Sequence, residues 1–331
     1  MRQAADGGKF AGALALLCAA FVWGMSFPAQ SIASESVGPF TFIAGKSTVA
    51  CLFALGMIAV RHAARHRGRK GTAAGGASAD VAAADSPQPR RGFFAAHRGV
   101  LLGGLVCGVV LCLADNCQQA GISSYPPEAA ASGRAGFLTA VYVVIVALLS
   151  RFMGRKLHPA VVIAVFVCLA GMYLLCVPID QGISGIYVGD AIMLAGALFY
   201  SFHILAVGRF SIEDALWLSA TQFFVSALLS SICAFVVEGA TPADAMPALL
   251  SILYVGIFST GLGYTLQNIG QRTVDEAPAA ILMSLESVFA ALGGWVLLGE
   301  SMSAPELVGC ALVFAAVLLA QAPQFKRARS M

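Results

Sequence analysis

Four charged side chains lie inside long apolar stretches of this chain: Lys46, Asp115, Arg134 and Glu286. An ionisable group at the centre of a membrane helix costs about 2.5–3.5 kcal/mol on insertion scales. Such groups mark solute paths, proton relays or buried ion pairs. Lys46, Asp115 and Arg134 each lie about 10 Å from the nearer end of their run, at 1.5 Å per helical residue. Three charges at one level on consecutive runs read as a cluster. It would serve as a substrate site or a gate. In the plainer alternative, Lys46 and Asp115 form a structural ion pair and Arg134 reaches out to the surface. Glu286 stands near the middle of its run, with no basic residue of the second half at that depth. A carboxyl there can bind an amine or other cation, carry a proton, or rest protonated in a hydrogen bond to a neighbouring helix.

Polar and aromatic residues at similar depth extend this set. His203 and Gln222 either face the same path or link helices by hydrogen bonds, as do Asn116, Gln118 and Gln119. Trp23 and Tyr142 would wall a cavity or simply pack as aromatics. Gln267 and Asn268, at the end of their run, read as interfacial.

The elements that must position these residues follow from composition. Only 11% of residues are charged, 59% are hydrophobic, and the mean hydropathy is +0.82. Soluble domains carry about 25% charge, so the chain is an integral membrane protein in a lipid bilayer. About 20 apolar residues cross a bilayer as a helix. Ten such runs are legible, at about 10–30, 39–60, 99–121, 128–149, 158–178, 188–208, 213–237, 247–268, 275–298 and 304–322. The first lacks a clear cleavage site and contains Trp23, so it reads as a retained span and not as a signal peptide. The polar segment 61–98, rich in Gly, Ala, Ser, Pro and Arg, reads as a flexible loop.

Ten spans place both termini on one side. With that side in the cytoplasm, all of the 20 Lys and Arg except Lys46 and Arg134 fall in the inside segments. The outside loops carry Glu35, Asp180, Glu238, Asp244, Glu300 and Glu306. This split obeys the positive-inside rule and supports a multi-pass protein of the cytoplasmic membrane.

The chain also reads as a duplication. Trp23 stands to Phe199 as Lys46 stands to Gln222, at one offset. Ala135 stands to Ala279 as Val144 to Val288, at a shorter one, and the difference is close to the length of the polar segment after Arg61. The repeats are thus 10–178 and 188–322, with tails 1–9 and 323–331. Five spans per repeat is an odd number, so the second enters the membrane from the opposite side. Gly154-Arg155-Lys156 closes one repeat's fourth span on the inside, and Gly299-Glu300 closes the other's on the outside. Inverted repeats accompany substrate sites near the bilayer midplane.

These residues resemble the drug/metabolite transporter superfamily, in particular its EamA-type ten-helix members. The resemblance is carried by Trp23-Gly24-Met-Ser26-Phe27, by Ser132-Gly133-Arg134-Ala135-Gly136-Phe137 through Tyr142, and by Gly189-Asp190. It continues through Ala277-Pro278 to Ser284-Leu285-Glu286-Ser287 and Leu298-Gly299-Glu300. It implies an all-α bundle of two inverted five-helix repeats around a central cavity, and export of amino acids, other small metabolites or drugs. The family commonly has Arg where this chain has Lys46, which keeps the charge and loses the guanidinium fork.

Other functions fit less well. The net charge of +3 is no nucleic-acid signal, because its distribution follows topology. No G-x-x-x-x-G-K-[ST] run is present, so nucleotide hydrolysis is not the direct drive. The nine cysteines form no CxxC pair, and the five histidines show no paired spacing, so no cofactor is expected. The expected partners are a small-molecule solute, protons as a coupling ion, and lipid. The rival class is a membrane-embedded enzyme acting on lipid-linked substrates.

Overall fold

The computed structural model describes residues 2–73, 98–125, 131–176, 187–210, 214–290, 292 and 304–329. Every regular element among them is a helix. Six are long and apolar enough to cross a bilayer: Gly8–Ser34, Pro39–Ala64, Arg98–Ser123, Val188–Phe210, Ala215–Glu238 and Pro242–Gly270. They are the first, second, third, sixth, seventh and eighth spans. The fourth (Ala131–Ala140 and Tyr142–Phe152), fifth (Pro159–Cys176), ninth (from Glu276) and tenth (Ala304–Arg329) complete the all-α bundle. Large apolar side chains such as Phe152, Phe166 and Leu250 point outward, as a lipid-facing surface requires.

One boundary differs from expectation. The second span continues as helix to Ala73, where the sequence reads as loop from Arg61. Ala, Arg and Lys are good helix formers, so leaving the apolar run does not end the helix. The rest of the polar segment up to residue 97, and Gly299-Glu300, lie outside the described residues.

Side-chain contacts fix the directions of the spans. The second and seventh run antiparallel: Ser47 meets Ser226, Cys51 meets the carbonyl of Ala220, and Arg61 meets Asp214. The third and seventh run parallel, with Gly104 against Thr221, Gly108 against Val225 and Cys112 against Ser230. The contacts also repeat. Third-on-sixth matches eighth-on-first, third-on-seventh matches eighth-on-second, and fourth-on-sixth matches ninth-on-first. The second packs on the seventh, the fourth on the ninth and the fifth on the tenth. A two-fold axis in the membrane plane, relating two inverted five-helix repeats, generates this pattern.

Three spans are discontinuous. The first breaks at Met25–Ser26, just before Phe27–Ser34. Pro28 offers no N–H to the carbonyl of Gly24 and crowds it. Ser26 Oγ donates to the carbonyl of Trp23 at 2.7 Å. The ninth breaks at Ser284–Leu285, where Ser284 Oγ donates to the carbonyl of Ile281 at 2.7 Å and competes with the helix ladder. The fourth breaks at Val141. Val141 and Leu285 are equivalent under the offset that carries Val144 to Val288, so the break itself is repeated.

Candidate functional site

The breaks converge on a narrow cavity with room for about 40 Å3 of water-sized occupancy. Trp23, Ser26, Phe27 and Gln30 come from the first span, Lys46 from the second and Gln118 from the third. Thr139 and Tyr142 come from the fourth, and Tyr200, His203 and Ile204 from the sixth. Ser259, Tyr264 and Gln267 come from the eighth, and Met283 and Glu286 from the ninth. Both repeats therefore contribute to its wall.

On one side lies an ion pair. Lys46 Nζ is 2.9 Å from Asp115 Oδ2, and both side chains are buried. The hydroxyls of Tyr200 and Tyr264 donate to Asp115 Oδ1 at 2.7 and 3.2 Å. Tyr200 also lies 3.1 Å from Gln118 Oε1, and Gln118 Nε2 donates to Thr139 Oγ1 at 3.0 Å. This network joins the second, third, fourth, sixth and eighth spans. Desolvating two charges costs several kcal/mol per ion, and only added hydrogen bonds offset it. The two tyrosines supply them. Lys46 reaches the cavity, while Asp115 stands behind it.

A second polar pair is formed by His203 Nε2 and Gln222 Oε1, 3.1 Å apart. The imidazole stands edge-on to Tyr264, with centroids 5.4 Å apart. Tyr264 in turn packs on Trp23 at 4.9 Å. The Trp23 indole donates to the carbonyl of Ser259 at 3.0 Å, inside a π-helical stretch, Val255–Gly263. Such stretches are frequent at functional sites.

Glu286 and Tyr142 form the third feature. Each is the first helical residue after its span's break. They are equivalent in the two repeats, and they interact with each other. Neither the Tyr142 hydroxyl nor Glu286 Oε1 completes a hydrogen bond of good geometry. Gly24 holds the first span against this point. A Cβ there would meet the Glu286 carbonyl, Phe289 Cβ and the Ala290 nitrogen.

Ion pairs tie the ends of the spans. Arg61 lies 2.8 Å from Asp214, and Arg155 lies 2.6 Å from Glu276. Asp214 caps the seventh span by accepting from Leu216 and Trp217 N–H. Burial pushes its carboxyl up, but Arg61 and the two backbone donors outweigh this and hold it below the usual carboxylate range. At the opposite face Glu238 accepts from Phe40 and Thr41 N–H at 2.8 and 2.9 Å, a carboxylate at the positive end of the second span.

Of the residues singled out in sequence, Trp23, Lys46, Gln118, Tyr142, His203, Gln267 and Glu286 line the cavity. Asp115 and Gln222 stand one contact behind. The Arg134 backbone is in the fourth span, and its side chain lies outside the described residues. Tyr200, Tyr264 and Ser259 were not singled out. The spacing of Tyr264 and Gln267, three apart on one helix face, is the signal that would have placed them together. Gln267 and Asn268 are not interfacial. Both are buried, because the last turn of the eighth span packs under the first and seventh, and Asn268 donates to Ser219 Oγ at 2.8 Å.

Comparison with known proteins places this geometry. The model described as the EamA-like transporter family matches residues 10–177 and again 187–321. A protein of Archaeoglobus fulgidus described as an uncharacterized transporter is 26% identical over 309 residues, covering 92% of this chain and 84% of its own. A crystal structure 20% identical in sequence superposes with a TM-score of 0.69, covering 94% of this chain and 96% of the other. That likeness is one of fold.

Proposed function

The chain belongs to the EamA-like transporter family, and from that premise we propose that this membrane transporter exports a small polar solute across the cytoplasmic membrane by alternating access. The observation that carries the reading is the buried polar cavity walled by both repeats, with Lys46 and Glu286 on its lining. Binding at the interface of inverted repeats lets one site open to each side in turn as the repeats rock. The breaks at Met25–Ser26, Val141 and Ser284–Leu285 supply places where half-helices can turn without unravelling the bundle.

Glu286 is the coupling residue in this proposal. It gives up a proton when the solute binds and regains one when the solute leaves. Tyr142 faces it, and His203, Tyr264 and the Lys46–Asp115 pair complete the polar surroundings. The distribution of Lys and Arg supports a cytoplasmic location for both termini and for the 61–98 segment. Export rather than uptake follows the family resemblance.

Solute flux into proteoliposomes tests the reading. Glu286→Gln and Lys46→Ala should each lower transport. If neither changes the flux of any solute that the unmutated protein moves, the cavity is not the transport site. Flux indifferent to an imposed pH gradient would remove Glu286 from coupling.

A further inference from the structure

The cavity wall carries more open acceptors than donors. Among the described residues, Glu286 Oε1, Gln267 Oε1, Gln30 Oε1, His203 Nδ1 and the Tyr142 hydroxyl line it without a hydrogen bond of good geometry. All five side chains belong to residues more than nine-tenths buried. Native interiors leave few such groups unmatched, so five in one cavity describe the chemistry of what enters it.

Their polarity is one-sided. The Glu286, Gln267 and Gln30 oxygens only accept. His203 Nε2 faces Gln222 Oε1 at 3.1 Å. With the Gln222 amide in this orientation Nε2 carries the ring hydrogen, and Nδ1 offers a lone pair. Four acceptors thus come from four spans, the first, sixth, eighth and ninth, while the Tyr142 hydroxyl can act either way.

The charge is one-sided as well. Lys46 is already matched by Asp115 at 2.9 Å. Among the described lining residues Glu286 is then the one ionisable carboxyl without a basic partner. Four acceptors are enough for the three N–H groups of a primary ammonium, and one negative charge matches its single positive charge. Trp23 and Tyr264, with centroids 4.9 Å apart, offer aromatic surface to the apolar remainder of such a molecule.

We infer that this cavity selects a small organic primary amine, held as its ammonium by Glu286, Gln267 and His203, in preference to a zwitterion or an anion. The inference rests on the cavity being the transport site and narrows that reading to a substrate class.

The test is counterflow of labelled 2-phenylethylamine in proteoliposomes, with three unlabelled competitors. These are its N,N,N-trimethyl analogue, phenylalanine and 3-phenylpropionate. Saturable exchange of 2-phenylethylamine is expected, and each competitor should be at least about tenfold weaker than the unlabelled amine, the cost of losing one hydrogen bond to a charged group. Gln267→Met should raise the half-saturation concentration by about tenfold. A detergent melting curve of that variant at the unmutated temperature ensures that the change reports on binding, and Gln267→Leu serves if Gln267→Met melts early. Phenylalanine or 3-phenylpropionate competing as well as the amine would overturn the inference while leaving the transport site intact. So would a trimethyl analogue as strong as the primary amine. No exchange and no melting shift with any of the four compounds would overturn the transport-site reading, and the inference with it.

Discussion

Tyr142 and Glu286 occupy the same place in the two repeats, each the first helical residue after a break, and they meet at the cavity. Duplication has put the same half-helix start at both positions. Divergence has made one a phenol and the other a carboxyl.

The first prediction follows from that pair. Glu286→Gln keeps the shape and removes the charge. Hydrogen bonds to charged groups contribute about 1.5–3 kcal/mol, so a cationic solute should lose about tenfold to a hundredfold in apparent affinity. The protein should melt no earlier, because the amide matches the protonated carboxyl of the empty protein in size and in charge. Flux and detergent melting curves together check both halves of this statement.

The Lys46–Asp115 pair behaves differently. Removing one partner from a buried ion pair costs about 3–5 kcal/mol, whereas replacing both by apolar residues of similar size is often neutral. Lys46→Met and Asp115→Leu should each lower thermal stability, and the double variant should recover most of the loss. Two single losses that simply add would show that the charges act independently. Flux through the recovered double variant then measures what Lys46 does for the solute, apart from holding helices together.

Gly24 lets the first and ninth spans approach closely, and a Cβ there would meet the ninth span's backbone. Overpacking typically costs about 1–3 kcal/mol, so Gly24→Ala should destabilise by that order and displace Glu286. Transport should fall in Gly24→Ala even though no polar group is lost. Normal flux together with normal melting would mean that the ninth span yields freely at this contact.

At the span ends, Asp214 is held below the usual carboxylate range. A group whose folded value is depressed contributes stability above its unfolded value, and that contribution is lost as pH falls through the folded value. The protein should therefore lose this contribution only below the ordinary carboxylate range, and Arg61→Ala should move the loss to higher pH. Both partners are about one-third exposed, so the effect at neutral pH should stay under about 1 kcal/mol. Melting temperature against pH, compared between the two proteins, measures it.

Topology has its own check. In a background without native cysteines, Ser86→Cys should react with a membrane-impermeant maleimide only after the cells are permeabilised. Reaction in intact cells would place the 61–98 segment outside and invert the orientation.

Much of this architecture is written in the chain at the scale of hydropathy. Spans and repeats are legible because a bilayer demands long apolar runs, and a duplicated run keeps its length after its residues have changed. Lys46 and Asp115 are legible as partners because charge in hydrocarbon is rare, and depth along a helix is simple arithmetic. Tyr200 and Tyr264 are not legible in that way. A tyrosine in an apolar run looks like any other aromatic until its hydroxyl is seen on Asp115. Gln267 is not legible either, since it stands near the end of an apolar run and yet a neighbouring helix covers that turn. The helix breaks at Val141 and Leu285 also escape hydropathy, since neither interrupts the apolar pattern.

The repeated break has a consequence for energy. If the two repeats exchanged shapes during a transport cycle, an identical pair of residues at the breaks would add nothing to the energy difference between the end states. Tyr142 and Glu286 are not identical. The exchange would carry a carboxyl into the setting that a phenol had occupied, and the reverse. The molecule is a balance with unequal weights on matched arms, so the empty protein has a resting direction, and an occupant that draws the proton from Glu286 shifts it.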